Sequence, residues 1–168
     1  TMKDIRTLDD LHDETEPALR AIKKYCLDHN KTLAVAESVT AGCLQWLIST
    51  AKEAQEFFQG GMTTYNCAQK ATHLAIDPIL ADRCNGVDRE VALCMAREIC
   101  KRFRSQIGIA ITGYATRVPE QDINELFAFV AIVKDGEVLC QDRLIPYSSE
   151  EGIHVQASYA IQTIQRLS

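Results

Sequence analysis

Apolar and polar positions along this chain follow two rhythms, one with helical spacing and one of short continuous apolar runs, and these divide it into helices and strands. Leu19, Ile22, Tyr25 and Cys26 recur at helical spacing within residues 14–29, with Pro17 tolerated in the first turn, which predicts a helix ending near Asn30. The polar residues 1–13 before it read as an N-terminal arm. Leu33, Val35 and their alanine neighbours suit a buried strand, and helical spacing resumes from Gly42 through Trp46, Leu47 and Ile48. Residues 54–65 read as a turn in which Gly60-Gly61 leads into a short strand at 62–65, followed by a short helix over 68–75 that stops before Asp77-Pro78. Asp88 suits the N-cap of a long helix over 89–103, with Val91, Met95, Ile99 and Phe103 at helical spacing. Residues 107–111 form a continuous apolar run that ends at Thr112-Gly113, and the runs 126–133 and 137–144 flank Lys134-Asp135-Gly136, a hairpin signal. Ser148-x-x-Glu151 reads as a capping box that opens a last helix, with Ile153, Ala157, Ile161 and Ile164 on one face. Strands alternating with helices, plus one hairpin, predict an α/β fold: a three-layer α/β/α sandwich around a mixed sheet.

Composition narrows the function classes. The 168 residues fit a single domain, 1–168, and a hydrophobic share of 46% is enough for a substantial core. A net charge of −5, with no basic stripe carrying interleaved aromatics, argues against a nucleic-acid partner. The basic cluster Lys101, Arg102 and Arg104 lies where a helix C-terminus favours it and reads as a solvated helix end. Seven cysteines, an odd number with no C-x-x-C pair, suggest reduced thiols and a cytoplasmic protein. His12, His29, His73 and His154 are scattered without metal-site spacing, so no metal is expected. No apolar stretch approaches the roughly 20 residues of a membrane span, and the polar start lacks a signal-peptide core, so no membrane partner is expected.

The candidate chemistry gathers where the first apolar strand stops, at Glu37-Ser38-Val39-Thr40-Ala41-Gly42. A strand end that feeds a helix N-terminus is where α/β proteins place ligands, because free backbone N–H groups and the helix dipole favour negative charge there. Ser38 is positioned for chemistry or for phosphate; alternatively, Ser38 or Thr40 simply caps the helix. Thr112-Gly113 is a second strand tip where a ligand can be met.

Taken together, AESVTAG at 36–42, GGMTTYNCAQK at 60–70 and IAITG at 109–113 resemble the C-terminal domain of the CinA family, whose stand-alone members include nicotinamide mononucleotide deamidases. The similarity covers about residues 14–167. It implies the fold predicted above and hydrolysis of the nicotinamide amide to a carboxylate with release of ammonia, on a small-molecule substrate and without metal or other cofactor. Matched residue by residue, the family nucleophile falls on Ser38, its lysine base on Lys70 and its tyrosine on Tyr65. Glu37, Thr40, Gly42, Thr112 and Gly113 match positions that would help form the pocket. The chemistry is coherent, since a serine hydroxyl attacks an amide poorly unless a neighbour such as a neutral lysine removes its proton. Lys70 would then need a dry setting, because losing its proton near neutral pH costs roughly 4 kcal/mol. On pattern alone, Lys70 also reads as a surface helix lysine and Tyr65 as a half-buried strand aromatic.

The departures from the family pattern concern recognition. Val39 and Ala41 stand where the family has cysteine and glycine, and Asn66-Cys67 replaces serine-asparagine. The bulky stretch 114–120 replaces a glycine-rich loop able to wrap phosphate oxygens with N–H groups. In the last helix, Glu150 and His154 take the places of two family arginines one turn apart, and a carboxylate there would repel a phosphomonoester. Arg117 or Arg143 are the candidate replacements. Two functions from different classes follow: an amidohydrolase for a nicotinamide nucleotide or a related, less phosphorylated amide, and a paralogue without turnover that serves as a ligand-binding or interaction module. Thiol chemistry at Cys43 or Cys67 is weaker, since neither has an evident histidine partner. Family members commonly self-associate, so a homo-oligomer is an expected partner state; the apolar hairpin 126–144 suits an interface, and a sheet core explains it equally well.

Overall fold

The computed structural model describes residues 5–168. Helix α1 (Leu8–His29) starts inside the stretch expected to be a polar arm, because Thr7 closes a capping box. The Thr7 hydroxyl accepts from the Asp10 N–H, and the Asp10 carboxylate accepts from the Thr7 N–H. Residues 8–13 are therefore helical and bury Leu11, while residues 1–4 of the expected arm lie outside the described residues. The helix stops at Asn30, which adopts the left-handed conformation as its C-cap.

Strand β1 (Leu33–Glu37) is buried along its whole length and leads into α2 (Cys43–Ser49). Strand β2 (Phe58–Thr63) begins before the expected position and contains both Gly60 and Gly61, the expected turn residues. The parallel pairing of β2 with β1 explains the difference: a Cβ on Gly61 would lie 2.2 Å from the Val35 carbonyl oxygen, so only glycine permits that approach. Helix α3 (Cys67–Leu74) follows, capped by the Asn66 side chain. Asp77-Pro78, expected only as a stop, also starts α4 (Pro78–Arg83), with Asp77 as N-cap and Pro78 in the first turn. Helix α5 (Arg89–Phe103), strand β3 (Ile107–Gly113) and the hairpin β4 (Ala128–Lys134) and β5 (Glu137–Leu144) lie close to their predicted bounds.

The last helix, α6 (Ile153–Gln165), is not opened by the expected capping box. Gly152 is its N-cap and offers no side chain, the Glu151 carboxylate instead takes up Arg117, and the Ser148 hydroxyl accepts from the Glu150 N–H. Ile153 is 74% exposed rather than part of the buried face, which is built from Val155, Tyr159, Ile161 and Ile164.

The sheet runs β2-β1-β3-β4-β5, with β1 parallel to β2 and β3, and with β4 and β5 antiparallel to their neighbours. Alternation along β1 sends Leu33 and Val35 into one core and Ala34 and Ala36 into the other. Helices α1, α2 and α6 cover the first face around Leu19, Leu44 and Tyr159, and α5 covers the second with Met95 and Ile99. The molecule is the expected three-layer α/β/α sandwich with a mixed sheet. Within the hairpin, β4 supplies core residues, whereas β5 leaves Val138 and Leu139 exposed at the sheet edge. No described helix is long and apolar enough to cross a membrane.

Candidate active site

The tips of the adjacent parallel strands β1 and β3 frame the site, their last paired positions being Glu37 and Ile111. The Ser38 N–H continues the ladder by donating to the Ile111 carbonyl at 3.0 Å, so the serine leaves the sheet with its backbone fixed. The chain then turns through left-handed Ala41 and Gly42 into α2. Gly42 cannot cap that helix with a side chain, and the buried Glu37 carboxylate does so from below. It accepts from the Leu44 N–H at 2.8 Å, the Gln45 N–H at 2.9 Å and the Thr40 hydroxyl at 2.6 Å. The α2 N-terminus, expected as a place for an external anion, is therefore filled by the protein's own carboxylate.

Lys70 enters from α3, one turn beyond the Asn66 cap, and is only 2% exposed. Its Nζ lies 2.8 Å from Ser38 Oγ and 3.1 Å from the Thr64 carbonyl oxygen, and Ser38 is itself 5% exposed. Burial pushes the Lys70 ammonium below the usual lysine range, partly opposed by the neighbouring thiols of Cys67 and Cys84. Gly86 makes room for the lysine stem: a Cβ there would sit 3.3 Å from Lys70 Cδ and Cε, at a backbone φ of +70° that favours glycine. Thr112 locks this turn in place by donating its hydroxyl to the Gly86 carbonyl at 2.6 Å.

Ser38 and Lys70 open onto a cavity of about 690 Å³, whose wall also includes Tyr65, Thr112 and Gly113. Five of the expected site residues thus share one recess, but they occupy it differently. Tyr65 is 65% exposed at the mouth and its phenol makes no hydrogen bond among the described residues. Gly113 is required by packing as well, since a Cβ would meet Ala128 Cβ at 2.5 Å.

The other expected binding residues stand off this cavity. Glu37, Thr40 and Gly42 do not line the cavity; the first two are buried and hydrogen-bonded to each other and to α2, and Gly42 serves the turn. Arg117 faces a different depression, held by the Glu151 carboxylate at 3.0 Å and by the Asn124 carbonyl. Arg143 sits there too, paired with Glu125 and lying over the Phe127 ring. Glu150 and His154 pair with each other at 3.2 Å on the exposed start of α6, off the cavity wall. Cys43 is also off the wall and its thiol is pushed up to about 11 by burial, while the Cys67 thiol, on the wall, donates to the Ala81 carbonyl.

Three contributors escape a reading of the sequence. Gly86 supports the lysine, and Thr64 supplies its carbonyl acceptor. Gln156, on the cavity wall, reaches from α6 and donates Nε2 to the Val39 carbonyl at 2.9 Å. Only Gly86 left a signal, as half of an Asn-Gly turn dipeptide. The N–H groups of Val39 and Thr40 have no protein acceptor among the described residues, and Val39 is on the wall beside Ser38. The arrangement brings a hydroxyl, a buried amine and an uncommitted backbone donor to one place.

The CinA C-terminal domain family profile matches residues 15–167. The chain belongs to this family. Among relatives, a protein of Moorella thermoacetica named as competence-damage inducible is 42% identical over 85 residues, covering 50% of this chain and 20% of that protein. A CinA-like protein of Syntrophotalea carbinolica is 26% identical over 148 residues, covering 86% of this chain and 35% of that protein. The chain thus spans between a fifth and about a third of these relatives' lengths. A crystal structure of a CinA superfamily protein from Escherichia coli shares the fold with a TM-score of 0.81 at 21% identity, covering 99% of this chain and 94% of that one.

Proposed function

We infer that this CinA-family domain is an amidohydrolase that uses Ser38 as nucleophile and Lys70 as general base on a nicotinamide nucleotide or a related amide. The observation that carries the reading is the 2.8 Å approach of Lys70 Nζ to Ser38 Oγ, with both side chains buried. With the amine neutral, the Ser38 hydroxyl donates to its lone pair while an Nζ–H donates to the Thr64 carbonyl. As Oγ bonds to the amide carbon, its proton passes to Nζ and the carbonyl π electrons move onto oxygen, where the Val39 N–H can receive the developing charge. Collapse of this intermediate breaks the C–N bond, Lys70 returns the proton to the departing nitrogen, and ammonia leaves an acyl ester on Ser38. Water then attacks the ester, giving a proton to Lys70, which returns it to Ser38 Oγ as the C–O bond breaks; the acid product gives its remaining proton to solvent or the released ammonia and departs as the carboxylate. Tyr65, at the mouth, is assigned to substrate contact.

Ammonia release from nicotinamide mononucleotide, nicotinamide riboside and simpler aromatic amides tests this reading. Ser38→Ala and Lys70→Ala each lower kcat by about three orders of magnitude, in line with loss of one member of a nucleophile and base pair. Wild-type protein that binds these compounds but releases no ammonia, and whose Ser38 resists sulfonyl fluorides, is a binding module instead.

A further inference from the structure

The cavity wall carries one side chain of the strongly ionised classes, Lys70; no arginine, histidine, aspartate or glutamate lines it among the described residues. Its remaining polar groups are amides and hydroxyls, among them Asn66, Asn85, Thr112, Thr116 and Gln156, and its aromatic faces are Tyr65 and Tyr114. We propose that, of the nucleotide and the related amides left open above, the substrate of this site is a carboxamide that carries no phosphate or other anionic group, an inference that rests on the hydrolase reading of the Ser38 and Lys70 pair.

Three independent features point the same way. The first is the base itself. An anion held in the cavity would find Lys70 as its only cation among the described wall residues, and would stabilise the protonated amine. A phosphomonoester would thus shift Lys70 toward the form that does not accept the Ser38 proton, with no arginine or histidine among the described wall residues to offset its charge. The second is the chain's own negative charge. The Glu37 carboxylate already fills the N-terminus of α2 beneath Ser38, accepting from Leu44 and Gln45. The N-terminus of α6 reaches the wall at Gly152 and would by itself attract an anion, but the Glu150 carboxylate lies two residues before it, while the charge of Glu151 is met by Arg117. The third is the placement of the nearby cations. Arg117 is taken up by Glu151 and the Asn124 carbonyl, and Arg143 by Glu125 and the Phe127 ring, both in the neighbouring depression. Uncharged amide and hydroxyl partners suit Asn85, whose side chain makes no hydrogen bond among the described residues, and aromatic rings suit the two tyrosines.

Protection of Ser38 from phenylmethanesulfonyl fluoride, read by intact mass and peptide mapping, separates this inference from the reading beneath it. Nicotinamide riboside and its 5′-phosphate differ only in the anionic group. The expected result is Ser38 labelling that disappears in Ser38→Ala and is slowed by the riboside at concentrations at least tenfold lower than by the phosphate. Equal or better protection by the phosphate, or protection by neither compound, overturns the inference while leaving the nucleophile in place. Absence of Ser38 labelling in the unprotected protein removes the hydrolase reading, and the inference with it.

Discussion

Lys70 is where stability and chemistry pull against each other. Burial lowers its proton affinity in the folded protein, so the unfolded chain binds that proton more tightly. Between the folded and the ordinary lysine pKa the unfolded state therefore carries more protons, and stability rises with pH across that window. If Lys70 is the base of the proposed hydrolase, the same shift sets the sign of the rate profile: kcat/KM is expected to rise with pH along an acid limb whose midpoint lies below that of a free lysine, and Lys70→Ala is expected to erase the limb. Lys70→Met is expected to abolish turnover and to raise the unfolding free energy near pH 7 by about 1 kcal/mol, because a well-packed apolar group replaces a buried amine. Chemical denaturation of the two proteins checks the second half. The Thr64 side chain offers a control beside it, since its buried Oγ1 has no hydrogen-bond partner among the described residues. Thr64→Val leaves the carbonyl acceptor for Lys70 intact and should be neutral or stabilising by up to about 1 kcal/mol, with activity kept. At this scale motif matching marked Ser38 and Lys70, yet it had no access to their distance. It also could not tell Glu37, which holds the loop, from Thr112, which stands on the cavity wall, because both roles favour a polar residue at a strand tip.

At the scale of elements, the turn from β1 to α2 depends on a carboxylate that serves the helix from the preceding strand. Replacing Glu37 by Gln retains one carbonyl-type acceptor but turns an NH2 group toward a donor, so one of the three hydrogen bonds, two of them buried, becomes a clash of donors. Glu37→Gln should cost about 2 kcal/mol of stability and lower kcat more than KM, as the loop that carries Ser38 loosens; urea denaturation beside steady-state kinetics checks both. Most elements were legible because their periodicity or capping residues are local: Asp88 and the run to Phe103 gave α5, and Lys134-Asp135-Gly136 gave the hairpin. The exceptions have physical causes. Gly60-Gly61 has the composition of a turn, but the close approach of β1 at Val35 places it within a strand. Ser148 and Glu151 have capping-box spacing, but Arg117, distant in sequence, takes the glutamate.

Considered as a whole, the molecule builds its site from segments far apart in the chain, and the side-chain hydrogen bond that spans the greatest length among the described residues is the one the sequence could least announce. Gln156 lies on α6 and reaches the carbonyl of Val39, 117 positions earlier, tying the last layer of the sandwich to the loop beyond the first strand. Alternating helices and strands predicted three layers, but no periodicity specifies which side chain of a covering helix will meet a loop across the sheet end. Because Val39 follows Ser38 directly, this bond restrains the segment that presents both the hydroxyl and the uncommitted N–H of Val39. Gln156 is only partly buried, and its loss opens no core cavity. Gln156→Leu should therefore lower kcat by about tenfold, the scale of about 1.4 kcal/mol in transition-state stabilisation. It should leave thermal stability within about 0.5 kcal/mol of wild type. Glu at this position lacks the donor and should behave like Leu, whereas a purely steric role for Gln156 would let Glu restore the rate. Sulfonylation of Ser38 provides the second readout: slower labelling in Gln156→Leu at unchanged thermal stability marks a residue that positions the nucleophile, and unchanged labelling would assign Gln156 to the cavity wall alone.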